Sequence, residues 1–179
     1  MTAALRPATE DDVEDIRRWR NHPSARAVSF TQHEISPAEH RAWWSAVRDD
    51  PSRRVLVYEY NGVAAGSVTY TYLDAGAGTA KWGCALDVDG LGRDVLPAWL
   101  KLEGVLIDYA FDTLGLSVLG GEVLLENKQV WQLHKRFGFT EARRYTQEID
   151  GVPHEVLWME LTAADRASVR ESAKGKRRK

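Results

Sequence analysis

A histidine on a predicted helix is one side chain of this sequence that is chemically able to transfer a proton. His134 lies seven residues after Asn127, within the segment LENKQVWQLHKRFGF of residues 125–139. Imidazole changes charge near pH 6.5, so a histidine donates a proton when it is charged and accepts one when it is neutral. A packing role is the alternative, because Leu133 and Phe137 of the same helix are expected to point inward and histidine is often partly buried.

Other side chains are suited to holding an anionic or aromatic ligand. Arg20 closes a predicted helix, and a guanidinium in a fixed position binds a diphosphate through paired hydrogen bonds. It could instead pair with Glu14 or Asp15 or interact with the dipole of its own helix. His40 stands on a helix with two tryptophans, where an ordinary amphipathic face is the alternative. Trp82, in a predicted strand, offers an aromatic face to a sugar or base.

Composition restricts the classes of protein and of site. The 179 residues are 44% hydrophobic, enough for one packed core, so we expect a single domain. Lys and Arg number 24 against 26 Asp and Glu, and this balance gives no electrostatic case for binding nucleic acid or a membrane. Cys84 is the only cysteine, which excludes an internal disulfide and a cysteine-based zinc site. No histidine or carboxylate spacing indicates a metal either.

The two ends of the chain carry different signals. The first residues, MTAALRPATEDD, lack the basic start and apolar stretch of a signal peptide, and no run of about 18 apolar residues follows. We therefore expect a soluble, cytoplasmic protein. Residues 164–179 are polar and end in the basic run KGKRRK, which predicts a disordered tail, with a nucleic-acid or phosphate arm as the alternative. The predicted domain spans residues 1–163.

Hydrophobic periodicity and turn signals divide the chain into elements in the order β-α-α-β-β-β-α-β-α-β-β. Asn61-Gly62 and Asp150-Gly151 are strong signals for two-residue hairpin turns. Ser36 before Pro37 predicts the start of a helix, and Gly138 predicts the end of one. Strands are expected at 3–8, 54–60, 63–73, 79–88, 117–125, 142–149 and 154–161, and helices at 11–21, 37–48, 96–113 and 128–137.

The order of elements and the segment 125–139 resemble the GNAT acetyltransferases over nearly the whole chain, from about Thr2 to Thr162. The resemblance implies a single-domain α/β fold with a mixed central sheet of about seven strands and four helices. It also implies acetyl-CoA as co-substrate and direct transfer of the acetyl group to an amine. In the family, an asparagine at the position of Asn127 contacts the pantetheine arm. The residue seven positions on, often tyrosine, gives a proton to the departing thiolate, and here it is His134.

The pyrophosphate loop is where this sequence departs from the family pattern. The family shows Gln or Arg, two spacers, Gly, a spacer, then Gly or Ala, and backbone N–H groups there bind the CoA diphosphate. Gly90 and Gly92 supply glycines, but counting back from the end of the long helix puts the usual sites near Pro97 and Trp99. Either the helix begins early or the loop is enlarged, and a plain turn is the alternative. The resemblance assigns cofactor binding to Leu86, Val88, Gly90, Gly92, Arg93 and Asn127.

The segment around Arg20 resembles a narrower group, the nucleotide-linked 4-amino-sugar N-acetyltransferases of pseudaminic acid biosynthesis. It reads RNHP from residue 20, then IS from residue 35, then the helical His40. By this resemblance Arg20 and His40 lie near the nucleotide phosphates, and the strand around Thr69 and Tyr70 flanks the sugar. Trp82 would then face the sugar or base, and the acceptor would be the amino group of a nucleotide-linked amino sugar.

Two other functions fit the same sequence. Acetylation of protein N-termini, as in the ribosomal-protein GNAT enzymes, uses the same donor site. A non-catalytic GNAT-like binding module would keep the fold without efficient CoA binding, in keeping with the irregular glycine loop and the missing tyrosine. The base that takes the proton from the ammonium is open among His33, Glu34, Asp87 and Glu122.

Overall fold

A seven-stranded sheet forms the centre of the computed structural model, which describes residues 1–74 and 76–176. The strands are β1 Ala3–Pro7, β2 Arg53–Tyr60, β3 Val63–Asp74, β4 Thr79–Leu86, β5 Val118–Leu124, β6 Thr140–Ile149 and β7 Val152–Thr162. The helices are α1 Val13–Asn21, α2 Pro23–Arg26, α3 Pro37–Val47, α4 Val88–Leu91, α5 Val95–Asp108, α6 Lys128–Arg136 and α7 Ala163–Lys176. The predicted α/β fold with a mixed seven-stranded sheet is confirmed, and α2, α4 and α7 add to the four predicted helices.

Two tight turns connect the antiparallel strands where the sequence predicts them. Asn61 and Gly62 have φ angles of 54° and 79°, and Asp150 and Gly151 have 49° and 80°. Two successive residues with positive φ match the right-handed twist of the strands that they join. The turns therefore set the pairing of β2 with β3 and of β6 with β7.

The sheet separates in its middle, between β4 and β5. The strand order is β1-β2-β3-β4-β5-β7-β6, and β4 and β5 run parallel. They pair only through Thr79–Lys81 and Val118–Gly120. Beyond these residues β4 continues beside β3 and β5 continues beside β7, without pairing with each other. A cleft therefore opens between the second halves of β4 and β5, with free backbone groups along its edges.

Helices cover both faces of the sheet. On one face, the buried hydroxyl groups of Tyr58 and Tyr70 donate to the backbone carbonyls of Ala98 and Leu106 in α5, at 2.8 and 2.6 Å. On the other face α1 packs against the sheet through residues such as Ile16, which is 1% exposed. Because the two helical layers are fixed to the sheet in this way, side chains from both can reach the cleft.

Two glycines in β5 let tryptophans lie against the strand. A Cβ atom at Gly120 would be 2.3 Å from Cζ2 of Trp158, and one at Gly121 would be 3.2 Å from Nε1 of Trp82. Successive residues of a strand face opposite sides, so the two tryptophans pack on opposite faces. Trp82 thereby lies at the point where the cleft begins.

The carboxyl-terminal segment differs from the predicted disordered tail, because Ala163–Lys176 form α7. Arg166 and Arg170 contact Asp108 at 2.9 and 2.6 Å and also pair with Asp112. These ion pairs attach the helix to the end of α5. The prediction considered apolar surface alone and missed the charges. The last three basic residues, 177–179, lie outside the described residues. No helix in residues 1–74 or 76–176 is long and apolar enough to span a membrane.

Candidate active site

A cavity of about 620 Å³ lies where β4 and β5 separate. Its walls come from β3, β4 and β5, from the start of α5, from α6, and from α1 with the loop that follows it. The size is within the range of small-molecule and cofactor sites. In the part of the chain that the structure describes, no group of three or more His, Cys, Asp or Glu side chains is placed to hold a metal ion.

The cavity brings together most of the site residues predicted from sequence. Those that line it are Arg20, Thr69, Trp82, Leu86, Val88, Asn127 and His134. The four predicted residues that do not line it are His40, Gly90, Gly92 and Arg93. Tyr70 also points away from it, because it follows Thr69 in the strand and its hydroxyl bonds to α5.

His40 is part of the packing between α1 and α3. Its side chain is 1% exposed and its ring stacks on Trp43 at a centroid distance of 4.8 Å. Burial, assisted by the charge of Arg20, lowers the pKa of His40 to about 4. The ring is therefore neutral and enclosed, which does not support the predicted contact with phosphates.

The two glycines of the GLG segment form a turn. The Gly90 N–H donates to Oδ1 of Asp87 at 3.0 Å, and a Cβ atom at Gly90 would lie 2.3 Å from Oδ2 of the same carboxylate. Gly92 has a φ of 51°, and α5 begins at Val95. The usual glycine sites of the family pattern, near Pro97, thus lie inside the helix. The helix begins earlier than usual, and the Gly90 amide is already engaged by a carboxylate instead of being free for a diphosphate.

His134 projects from α6 to the inner end of the cavity. Its Nδ1 atom lies 2.9 Å from Oε1 of Glu103, and neither side chain has another partner in the described residues. The direction of this contact departs from that of a regular hydrogen bond. The ring meets Trp82 edge-on at 5.1 Å and lies 5.3 Å from Phe139. With Nδ1 facing Glu103, Nε2 is the nitrogen left for a ligand.

Asn127 lies at the end of β5 and begins α6. Its backbone carbonyl accepts from the N–H groups of Val130 and Trp131, which fixes the residue at the helix start. The side-chain amide lines the cavity and makes no hydrogen bond to any residue in 1–74 or 76–176. An amide with both donor and acceptor capacity is thus available to a ligand in the cleft.

A hydrogen-bonded glutamate of β5 also lines the cavity. Glu122 accepts from Nζ of Lys81 at 2.7 Å and from the hydroxyl group of Tyr145. Burial alone would raise the pKa of Glu122, but these two hydrogen bonds outweigh it and hold the pKa below its ordinary value. Burial and the nearby carboxylate raise the pKa of Tyr145 to about 12. Glu122 is therefore ionised at neutral pH and Tyr145 is a neutral donor.

The loop after α1 forms the outer wall. Asn21 holds its base, since its side chain donates to the carbonyl of Ile35 and accepts from the Ile35 N–H, both at 2.8 Å. Arg17 donates to the same carbonyl at 2.9 Å. At the far side of the loop, Phe30 packs on the buried cluster at the ends of β5, β6 and β7. The loop 22–34 is thus fixed across the cleft.

Glu103 and Asn21 are two residues of this site to which the sequence prediction gave no role. Glu103 lies one position after Leu102 and three before Leu106, on the buried side of α5. An acidic residue inside an apolar helical pattern was the signal that could have found it. Asn21 belongs to the segment predicted to recognise the acceptor, but its clamp on Ile35 depends on a contact between residues 14 positions apart.

Comparison with known proteins agrees with this geometry. The family model for the acetyltransferase (GNAT) domain matches residues 3–140. The spermidine N-acetyltransferase of Vibrio cholerae, solved with CoA and spermine, superposes with a TM-score of 0.79 at 21% identity, over 92% of this chain and 98% of that one. A putative phosphinothricin N-acetyltransferase superposes with a TM-score of 0.74 at 22% identity, over 90% of this chain and 98% of that one.

Both identities are low, so these structures show the fold, and the family model carries the assignment. A search of curated protein sequences found no match. The family model matches more than half of the chain, and the matched residues include the β4–β5 cleft, Asn127 and α6. The chain belongs to the GNAT family of acetyltransferases and is an acetyl-CoA-dependent N-acetyltransferase.

Proposed function

We propose that this enzyme acetylates an amine whose molecule also carries an anionic group, and that the acceptor is a nucleotide-linked amino sugar. One observation carries the proposal: the cavity holds a partly buried guanidinium, Arg20, without a carboxylate partner among the described residues. The specific acceptor follows from the resemblance of the segment that contains Arg20.

Arg20 lies in the last turn of α1, with its guanidinium over the Trp43 ring at 5.4 Å from the centroid. Burial lowers its pKa, and only the distant charge of Glu39 opposes this effect. Glu39 itself pairs with His33 at 3.0 Å. An arginine stays charged in proteins, so a desolvated guanidinium without a counterion favours an anionic ligand. A phosphate oxygen could accept two of its hydrogen bonds at once.

The charge of the cavity argues against a polyamine acceptor such as those of the Vibrio cholerae enzyme. Glu122 is the carboxylate that lines the cavity within residues 1–74 and 76–176, and Lys81 neutralises it. Arg20 and Lys81 against Glu122 leave an excess of one positive charge. A polycation would meet repulsion there, whereas a diphosphate would gain attraction.

The cavity also suits a hydroxyl-rich ligand. Ser67, Thr69 and Thr71 alternate along β3 and face the cavity together, because residues two apart share one side of a strand. Their hydroxyl groups both donate and accept hydrogen bonds. A sugar placed between this strand and Glu122 would find partners on both sides.

The proposed reaction is a direct transfer. The acceptor nitrogen attacks the thioester carbonyl, the C–N bond forms, the C–S bond breaks, and the nitrogen loses one proton, which passes to solvent water. His134 gives a proton from Nε2 to the departing sulfur. Glu122, ionised at neutral pH, accepts a hydrogen bond from the amine and orients it. Asn127 holds the pantetheine arm through its free amide.

A panel of acceptors tests the proposal. The enzyme is mixed with acetyl-CoA, and release of free thiol is followed with a UDP- or TDP-linked 4-amino-sugar, phosphinothricin, spermidine, and a peptide with a free N-terminus. We expect the highest kcat/KM with an amino-sugar nucleotide and the lowest with spermidine. Equal or greater turnover of spermidine would reject the anionic acceptor, and turnover of phosphinothricin alone would reject the nucleotide sugar.

A further inference from the structure

The polar pair formed by Glu103 and His134 is costly to bury. Glu103 is 0% exposed and lies among fully buried apolar residues of α5, such as Leu102 and Leu106. His134 is 3% exposed. An ionised carboxylate in such a place is strongly destabilising unless a partner compensates its charge. Its position beside the proton donor of the proposed reaction indicates a role in that reaction.

We propose that Glu103 is a positioning residue that keeps a proton on Nε2 of His134, so that the histidine acts as an acid at neutral and mildly alkaline pH. The proposal rests on the proposed role of His134 toward the CoA thiolate. It explains how histidine can stand where the family usually has tyrosine.

The argument follows from the charge of the pair. When Glu103 is ionised and His134 carries protons on both nitrogens, the pair is uncharged. When Glu103 is protonated and Nδ1 is bare, the pair is uncharged again and the proton of the neutral imidazole is on Nε2. Only the loss of the Nε2 proton leaves a net negative charge in an apolar interior, which is the state that burial disfavours.

The other titratable groups that face this pair do not supply a competing charge. Cys84 of β4 lines the cavity, and the protein atoms that surround its thiol disfavour the thiolate and raise its pKa to about 12. Burial also raises the pKa of Tyr70 of β3 above its ordinary value, and its hydroxyl bonds to a carbonyl of α5. The negative charge of Glu103 contributes to both shifts. Both groups are neutral where the enzyme would work.

The proton balance of the step is simple. The pair gives one proton from Nε2 to sulfur as the C–S bond breaks, and it becomes negatively charged for that moment. It regains a proton from water or from the proton that the acceptor nitrogen has lost. The buried charge thereby favours rapid return of the acid to its active state.

The test is the pH profile of kcat for Glu103→Gln, which keeps the shape of the side chain and removes its charge. We expect the loss of kcat to be smallest at about pH 6 and to reach about 10-fold or more at about pH 8.5, because an imidazole without the carboxylate keeps less of its acid form as the pH rises. The KM for acetyl-CoA should stay unchanged. Glu148→Gln, the same change on the exposed face of β6, is the control and should not change the pH profile of kcat.

Two results would overturn the proposal. One is a kcat profile of Glu103→Gln that superimposes on wild type. The other is an equal loss of kcat at every pH, which a merely structural role would cause. A double variant with His134→Gln gives a second measure. Once the histidine is replaced, adding Glu103→Gln should cause no further loss of kcat at about pH 8.5.

A spectroscopic readout separates this proposal from the proposed function. In the CoA complex, the ¹⁵N resonances of His134 should show a protonated Nε2 at about pH 8 in the wild type and a free Nε2 for part of the molecules in Glu103→Gln. A free Nε2 in the wild type would reject the role of Glu103 even if the enzyme acetylates amino sugars. A protonated Nε2 without turnover of any anionic amine would leave the role of Glu103 in place and reject the proposed acceptor.

Discussion

His134 is the residue to which the proposed reaction assigns the proton transfer. Histidine has a lower ordinary pKa than tyrosine, so it leaves less of the acid form at neutral pH but gives up its proton more readily. The structure encloses it between Trp82, Phe139 and Glu103, which fixes the ring. A fixed ring keeps its cavity-facing nitrogen at one place, as proton transfer requires.

Replacement of this side chain should affect turnover more than binding. For His134→Gln we expect kcat to fall by about 10²- to 10⁴-fold, the usual contribution of a general acid, with little change in the KM of the acceptor. Steady-state kinetics by thiol release would measure both constants. His33→Gln is the control, because this histidine is exposed and lies outside the cavity. An unchanged kcat for His134→Gln would assign His134 to packing.

The loop 22–34 is the element that gives the cavity its outer wall. The sequence predicts it as a connection between two helices, and the structure adds the short helix α2, which His22 caps by accepting from the Ser24 N–H. The motif RNHP thus has structural roles: Asn21 closes the loop base, His22 caps a helix and Pro23 begins it. Only Arg20 of the four faces the cavity.

Loss of the clamp should loosen this wall. Asn21→Ala removes two hydrogen bonds, which together contribute about 1–3 kcal/mol, and should raise the KM of the acceptor while leaving that of acetyl-CoA unchanged. Trypsin cleavage at Arg26 should become faster by about 10-fold, since local opening exposes the loop. Gln32→Ala, a change within the same loop away from the clamp, should leave cleavage slow. Equal cleavage of the two variants would show that Asn21 does not hold the loop.

The elements that local signals specify were predictable, and the contacts that depend on the folded topology were not. Hairpins at Asn61-Gly62 and Asp150-Gly151 follow from two residues each. In contrast, Glu103 and His134 lie on different helices and meet only after both helices have packed on the sheet. For α7, a prediction based on apolar residues alone does not include the ion pairs to Asp108 that hold the helix.

One ion pair near the amino terminus ties the first strand to the first helix of the molecule. Arg6 of β1 donates to both oxygens of Asp12, each at 2.8 Å, and Asp12 also accepts from the Thr9 N–H. The bonds from Arg6, opposed by burial, lower the pKa of Asp12 to about 2. Thr9 and Asp12 thereby form a capping box before α1.

Stability should depend on pH through this carboxylate. Its folded pKa is lower than its unfolded one, so the stabilisation is complete above about pH 5 and is lost as the pH falls toward about 2. Asp12→Asn should lower the free energy of unfolding by about 1–3 kcal/mol at neutral pH, and the difference should disappear near about pH 2. Urea unfolding at several pH values would measure it. Asp11→Asn, at the exposed neighbour, should show no such trend.

At the scale of the whole molecule, the proposed acetyl-CoA site lies beside the proposed acceptor site in one cavity. The split between β4 and β5, with Asn127 at its edge, belongs to the part of the chain that the family model matches. In the proposed function, recognition of the acceptor depends on Arg20 and on the charge balance of Lys81 and Glu122. Acceptor choice is thus the property for which these charges matter most.

The ratio of kcat/KM for an amino-sugar nucleotide to that for spermidine, measured in wild type and in Arg20→Gln, tests this account most directly. We expect the ratio to favour the nucleotide sugar in wild type and to fall by about 10- to 100-fold in Arg20→Gln, the effect of losing a charge-assisted bidentate contact. Arg18→Gln, an exposed arginine of the same helix, should keep the wild-type ratio. A ratio that favours spermidine in wild type, or that Arg20→Gln leaves unchanged, would contradict the account.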